Sequence, residues 1–305
     1  MSDAPAATEA YRCGHVAIVG RPNVGKSTLL NHLVGGKVSI TSRKAQTTRH
    51  RVTGILTTPQ AQFVFVDTPG FQTRRRSRLD DRMNRLVRQS FADVDATVVV
   101  VEAGRTTDAD RAVIALLPRG NRAVAALNKV DLLGDKEAML PQMAELAALF
   151  PFVALVPVSA EKERFLDRLL GEVGALLPEG PPVFGEDAIT DRDERFLAAE
   201  FIREKVFRLL GEEVPYATTV GVDSFTTAGG LRRIRATVYV ERDNQRPIVV
   251  GEGGSRIKKI ASRARTDMER LFGGPVFLEV WVRVKHGWPD DDGMLDRFGH
   301  SRRPD

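Results

Sequence analysis

Eight consecutive residues constrain this chain more than any others: Gly20-Arg21-Pro22-Asn23-Val24-Gly25-Lys26-Ser27. They fit the spacing G-x-x-x-x-G-K-[ST], they follow the apolar run HVAIVG at 15–20, and they open a segment of helical pattern. Such a loop has to lie between a buried strand and a helix N-terminus, because its backbone N–H groups converge on an anion. Gly25 lets the backbone approach phosphate closely. Lys26 places a charge between the β- and γ-phosphates, and the Ser27 hydroxyl is a magnesium ligand, with Thr28 carrying the loop into the helix. The pattern demands a nucleotide but selects neither the base nor the reaction. A metabolic kinase or an ATPase carries it equally well.

The rest of the first half repeats the strand-then-helix order. Apolar runs at 15–20, 52–58, 62–68, 96–103, 122–129 and 152–160 predict strands, and helical patterns lie at 26–34, 80–91 and 136–150. Strands that are apolar throughout and alternate with helices predict a doubly wound, mostly parallel α/β sheet covered on both faces. Ligands of such sheets bind at the carboxyl ends of the strands. A proline- and glycine-rich stretch at 177–190 breaks the order. After it come a helix at 193–210, strands at 217–225 and 231–241, a helix at 255–272 and a strand at 276–285, which predicts an independent α+β domain. Asp191 or Asp193 is placed to cap its first helix. The chain therefore divides into a tail at 1–12, expected to be disordered, an α/β domain at 13–180, a linker at 181–192 and a second domain at 193–305.

Three further segments address the nucleotide. Asn128-Lys129-Val130-Asp131 follows a strand end, where an Asp131 carboxylate would accept from guanine N1–H and the 2-amino group, an arrangement adenine does not offer. Asn128 is placed to bridge base and phosphate loop, the Lys129 stem to cover the ring, and the Ala160 N–H of Val158-Ser159-Ala160 to donate to guanine O6. Asp67-Thr68-Pro69-Gly70 ends the strand at 62–67, with Asp67 poised toward Mg²⁺ and the Gly70 N–H toward the γ-phosphate. Thr48, in the polar segment 42–51, is the candidate ligand that reaches Mg²⁺ only when GTP is bound, and Thr47 is the alternative. The catalytic set read in this way is Lys26, Thr48 and Gly70, and the metal set is Ser27, Thr48 and Asp67. Phe71 occupies the place where a water-orienting glutamine would stand, and is read as a packing residue.

Near the C-terminal end, Gly251-Glu252-Gly253-Gly254 has a strand before it and a basic helix after it. This G-x-x-G spacing marks the KH fold, whose loop clamps about four single-stranded nucleotides. The candidate contacts are Gly251, Gly253, Gly254, Ser255, Arg256, Lys258, Lys259 and Arg263. From Leu231 to Arg265 there are ten Lys or Arg against three acids, which suits a phosphate backbone. Glu252, an acid between these residues, is not counted as a contact and is expected to weaken RNA binding by about 1 kcal/mol.

Together these motifs resemble those of the Era family of bacterial GTPases. SRKAQTTRH at 42–50, GRPNVGKST, DTPG, NKVD and VSA carry the likeness in the first half. EDAITDRDERF, VPYATTV at 214–220, IVVGEGGSRIKKI at 248–260 and EVWVRVK at 279–285 extend it to the end. The resemblance implies GTP and GDP as ligands with Mg²⁺ as cofactor, and a type II KH domain. It also implies the 3′ end of the 16S ribosomal RNA as target and assembly of the 30S subunit as the process, carried out by a monomer. By analogy with related potassium-activated GTPases, Asn23 is a candidate ligand for K⁺. Peripheral association with the cytoplasmic face of the inner membrane is also described for the family.

Composition narrows the alternatives. With 42% hydrophobic and 28% charged residues the chain reads as globular, and no apolar run nears the roughly 18 residues of a membrane span. The first ten residues lack a signal-peptide core, and the lone Cys13 excludes an internal disulfide, so the reading is cytoplasmic. A second basic cluster, Arg74–Arg88, holds seven Arg against two Asp and would suit anionic lipid in a membrane-associated signalling GTPase. An RNA-binding scaffold with an inert nucleotide domain is the other alternative, argued by Phe71 and opposed by Lys26, Ser27, Asp67 and Thr48.

Overall fold

A computed structural model describes residues 10–42, 44, 46–71, 77–211 and 213–298. The strand at 15–20 begins earlier than expected: β1 is Arg12–Val19, because Arg12 to Ile18 pair in parallel with the run from Ala61 to Asp67. Residues 1–9 of the expected disordered tail lie outside the described residues. β2 (Val52–Thr57), β3 (Ala61–Asp67), β4 (Ala96–Glu102), β5 (Ala123–Asn128) and β6 (Ala154–Pro157) complete a six-stranded sheet in the order β2-β3-β1-β4-β5-β6. Only β2 is antiparallel to its neighbour.

Alternation along these strands divides the core into two layers, since successive side chains point to opposite faces. Val16, Ile18, Phe65, Val98 and Val100 pack under α1 (Lys26–Val34) and α5 (Leu166–Gly174). Ala17, Val19, Val99, Val101 and Leu127 pack under α2 (Arg78–Gln89), α3 (Asp108–Ile114) and α4 (Met139–Leu149). Helices α3 and α5 do not stand out in the sequence pattern. Each is short, and α3 is set by a capping box in which Thr107 and Asp110 bond each other's backbone.

The Pro-rich segment is a strap tied to the β2–β3 side of the sheet. Gln62 Oε1 accepts from Val183 and Phe184, Ile55 donates to the Ile189 carbonyl, and Arg192 donates to the Arg51 carbonyl. These bonds cover the backbone of β2, an edge strand otherwise open to pairing.

Asp193 then caps α6 (Glu194–Leu209) by accepting from the Phe196 N–H. The three-stranded sheet β7 (Thr218–Ala228), β8 (Leu231–Val240) and β9 (Val276–Val284) lies under α6 and α8 (Ser255–Phe272), with β7–β8 antiparallel and β8–β9 parallel. Its core joins Leu197, Phe201 and Ile202 to Ile234, Ala236, Val238, Ile260, Ala264 and Met268. The element directly before the G-x-x-G loop is a helix, α7 (Gln245–Val250), and not the expected strand. Gln245 Oε1 accepts from the N–H groups of Glu241 and Arg242, which ends β8 and turns the chain, and Pro247 suits the first turn of a helix. The chain closes with Trp288 and α9 (Asp292–Arg297), which pack against Leu79 and Met83 of α2 in the first domain.

Candidate functional site

Because β1 lies between β3 and β4, the order of the sheet reverses beside it, and its carboxyl end opens a crevice. Residues 20–27 turn there. Gly20 and Gly25 have φ of 156° and 101°, and Asn23 reaches 66°, a region asparagine tolerates. A side chain on Gly25 would lie 2.3 Å from Asn128 Nδ2. Asn128, at the end of β5, donates through that nitrogen to the Val24 carbonyl of the loop at 2.8 Å. Gly70 sits so close to Pro22 that a Cβ would meet the proline backbone at 2.8 Å, which locks the DTPG segment onto the loop. Thr68 donates to the Ile18 carbonyl from beneath it, and Pro69 joins the two contacts.

Lys26 is buried and donates to the carbonyls of Gly20 and Arg21, both at 3.1 Å. Burial lowers its pKa to about 8; Asp67 pulls it upward and Arg21 pushes it further down. Opposite it, Asp67 Oδ2 accepts from Ser27 at 2.6 Å, Ser39 at 2.8 Å and Thr48 at 3.3 Å, and Ser27 and Thr48 are 2.8 Å apart. Burial raises the Asp67 pKa, against Lys26 and these three hydroxyls. The other carboxylate oxygen, Asp67 Oδ1, is buried with no hydrogen-bond partner among the described residues. A carboxylate with one oxygen unpartnered and the other gathering three hydroxyls fits a hard oxygen-seeking ion such as Mg²⁺. Thr47 turns away, donating to the Lys44 carbonyl at 2.7 Å and so accepting from Ser42 at 2.6 Å. A cleft lies between the loop and Ile40, Thr41, Thr47 and Thr48, and is bordered also by Thr28 and Asn23.

The base readers stand at the ends of β5 and β6. Ser159 donates to Asp131 Oδ1 at 2.5 Å and so orients that carboxylate. The Ala160 N–H, expected to face guanine O6, donates to Asn128 Oδ1 at 2.9 Å. With β5 and β6 adjacent, the Asn128 amide spans from Val24 to Ala160 and takes this donor. Lys129 has a φ of 69°, a strained value for a residue with a side chain, and its ammonium lies 3.3 Å from Glu102.

Two groups are not visible as candidates in the sequence. Ser39 carries no motif and reaches Asp67 only through the fold. Glu102 binds both Arg21, at 2.9 Å, and Lys129. Burial pushes the Glu102 pKa up, yet these cations hold it below the usual carboxylate range. An acid ending an apolar strand beside the phosphate-loop strand was its available signal.

In the second domain, Gly253 and Gly254 have φ of 54° and 76°, and a Cβ added to either would meet no atom within 4 Å, so their surface is open. Gly251 differs: its missing Cβ makes room for Arg256 Cβ at 2.7 Å, a packing role. Ser255, Arg256, Lys258, Lys259 and Arg263 lie along the start of α8, mostly exposed, and Arg256 donates to the Ile248 carbonyl. The second basic cluster divides. Arg74, Arg75 and Arg76 lie outside the described residues, while Arg78 and Arg82 pair with Asp292 and Arg82 also with Asp296.

Known proteins share this arrangement. The family described as 50S ribosome-binding GTPase matches residues 15–129, and the KH domain family matches residues 213–289. GTPase Era of Nitrosomonas eutropha is 56% identical over 291 residues, which span 95% of this chain and 98% of the relative. The chain belongs to the Era family. GTPase Era of Chromobacterium violaceum is 52% identical over 98% of this chain and 99% of its own length. Two solved Era structures superpose with a TM-score of 0.91 at 38% identity, each covering 95% of this chain and 99% of the other. One is an Aquifex aeolicus Era bound to GDP·AlF4⁻; the other is Era in complex with MgGDPNP and nucleotides 1506–1542 of 16S ribosomal RNA. The fold is thus that of a P-loop GTPase domain followed by a KH domain.

Proposed function

We propose that this chain hydrolyses GTP to GDP and phosphate, binds the 3′ end of 16S ribosomal RNA and acts in 30S subunit assembly, as a cytoplasmic monomer. The observation that carries the reading is the convergence of Ser27, Thr48 and Asp67 on one oxygen-rich point beside buried Lys26. Mg²⁺ held there would neutralise charge gathering on the phosphates. Lys26 binds the β- and γ-phosphates, the loop N–H groups cradle the β-phosphate, and the Gly70 N–H meets the γ-phosphate. Asn23, exposed at the loop's outer turn, is the ligand we assign to K⁺. Asp131, oriented by Ser159, reads guanine, with Asn128 and Lys129 framing the ring.

Phe71 packs against the Ala17–Val19 layer and offers no hydrogen bond to water, so unstimulated turnover is slow, of the order of the intrinsic Ras rate. Residues 13–180 form the nucleotide domain in this reading, 181–192 the linker and 193–305 the RNA domain. The exposed stretch from Gly253 to Arg263 is its RNA contact. No described helix is long and apolar enough to cross a membrane. Attachment to lipid through α2 is disfavoured, because Arg78 and Arg82 are already engaged by acids near the C-terminus.

Nucleotide titration and turnover with Asp131→Asn tests the reading. The variant is expected to lose GTP affinity by about two orders of magnitude and to accept xanthosine triphosphate, whose extra carbonyl the amide can donate to. Undiminished preference for GTP would remove Asp131 from the base site.

A further inference from the structure

The inner face of the C-terminal sheet is fully used by α6 and α8, but its outer face is not. Register places Arg233 opposite Phe277, Arg235 opposite Glu279 and Thr237 opposite Trp281, and all of these project to the side away from the helices. Trp281 is 61% exposed and Phe277 46%, large apolar rings that a folded chain normally covers. Among the described residues one end of this face is covered: Phe298, just after α9, packs at a tilt against Tyr239 with ring centres 5.1 Å apart.

We propose that the open part of this outer face is a second contact for single-stranded RNA, on which bases stack against Trp281 and Phe277 while phosphates pair with Arg233 and Arg283. The proposal deepens the RNA reading above and rests on it. Charge selects the occupant. The face carries Arg233, Arg235 and Arg283 against Asp223 and Glu279, and past its end Lys285 is matched by Glu241 at the next step of the register. Both acids of the face are occupied: Asp223 accepts from Thr237 and Glu279 from Arg235, each at 2.7 Å. Arg233 and Arg283 have no ion pair among the described residues, which leaves the face positive. Arg233 lies 5.5 Å from the centre of the Phe277 ring, so cation and ring are presented together.

Isolated rings set among arginines on a flat sheet suit bases, each of which offers a π-face beside a phosphate. A protein partner would call for a continuous apolar patch. Access follows from topology. β9 is an edge strand, and α7, which leads into the G-x-x-G loop, packs against it. An RNA strand leaving that loop therefore meets Arg283 and Trp281 on rounding the edge. Phe277 follows, about 13 Å farther along the strand from Trp281.

The test uses the full chain and fluorescein-labelled mixed-sequence oligoribonucleotides of about 5 and about 15 nucleotides, the shorter filling only the clamp of about four. Trp281→Ala is expected to weaken the longer one about tenfold and to leave the shorter within twofold. Trp281→Phe should restore most of the loss, and Arg233→Ser should lower the salt slope by about 0.7, one phosphate contact on a single strand. The longer RNA should also quench Trp281 fluorescence, a signal that buried Trp288 does not supply. If Trp281→Ala binds both RNAs like the parent while Gly254→Asp weakens both, the platform is wrong and the RNA reading stands. If the parent binds neither RNA, both fail together. If Trp281→Ala instead converts a dimer to a monomer with unchanged RNA affinity, the face belongs to a second copy of the chain.

Discussion

The phosphate loop and the segment 37–50 border one cleft but are held in opposite ways. The loop is held within its own domain: Lys26 returns to the Gly20 and Arg21 carbonyls, Asn128 donates to the Val24 carbonyl, Arg21 binds Glu102 and Asp110, and Ser27 donates to Asp67. The segment is tied to Asn31 and Asp67 in its own domain but draws further anchors from the other domain. Lys37 meets Glu204 and Asp267, the Thr41 N–H donates to Glu204 at 3.1 Å, and Lys44 donates to the Leu210 and Gly211 carbonyls. Ile40 sits in the C-terminal core itself. Arg49, with no exposed surface, donates to the carbonyls of Thr218, Pro215 and Tyr216 between the rings of Phe207 and Trp288. Burial and the neighbouring Arg203 lower its pKa to about 9. Thr48, beside it in sequence, reaches the candidate metal point. One wall of the cleft is held within the first domain, while the other cannot shift without disturbing contacts to α6 and β7.

The largest expected break in that comparison is Arg49→Ala. It leaves three buried carbonyls short of a donor and opens a void between two rings, at a cost of about 2–4 kcal/mol of stability by urea unfolding. GDP affinity should stay within about threefold, since the loop and Asp131 do not depend on Arg49. An equal loss in GDP binding would show that the two walls are not held separately.

A smaller effect sharpens the local side. Lys26 binds phosphate in its charged form, and with a pKa near 8 that charge is present below pH 8 and lost above it. Affinity for GDP is therefore expected to fall about tenfold between pH 7 and pH 9, measured with a fluorescent analogue. A flat profile would mean that nucleotide binding does not run through that buried ammonium.

The same contrast explains what was legible in the sequence. The phosphate loop, NKVD and DTPG are short runs whose geometry follows from glycine, strand and helix order, so their placement could be read directly. Strand and helix positions were legible to within a few residues wherever periodicity was long, as in α8 and β4. Ser39 and Arg49 were not, because a lone serine or arginine in a polar segment takes its meaning from residues far along the chain. The strand expected before the G-x-x-G loop failed for a related reason. Four residues, PIVV, fit either structure, and Gln245 settles the matter by turning the chain.

In this reading two separate sites share the chain, one for nucleotide and one for RNA. Gly254→Asp tests it most directly, measured as RNA affinity across several salt concentrations beside GTP binding and hydrolysis. A side chain at Gly254 meets no atom, and aspartate at a helix N-terminus is well tolerated, so the variant should fold. RNA binding is expected to fall at least tenfold, about 1.4 kcal/mol, while GTP binding and basal hydrolysis are unchanged. Unchanged RNA affinity in the folded variant would contradict that reading.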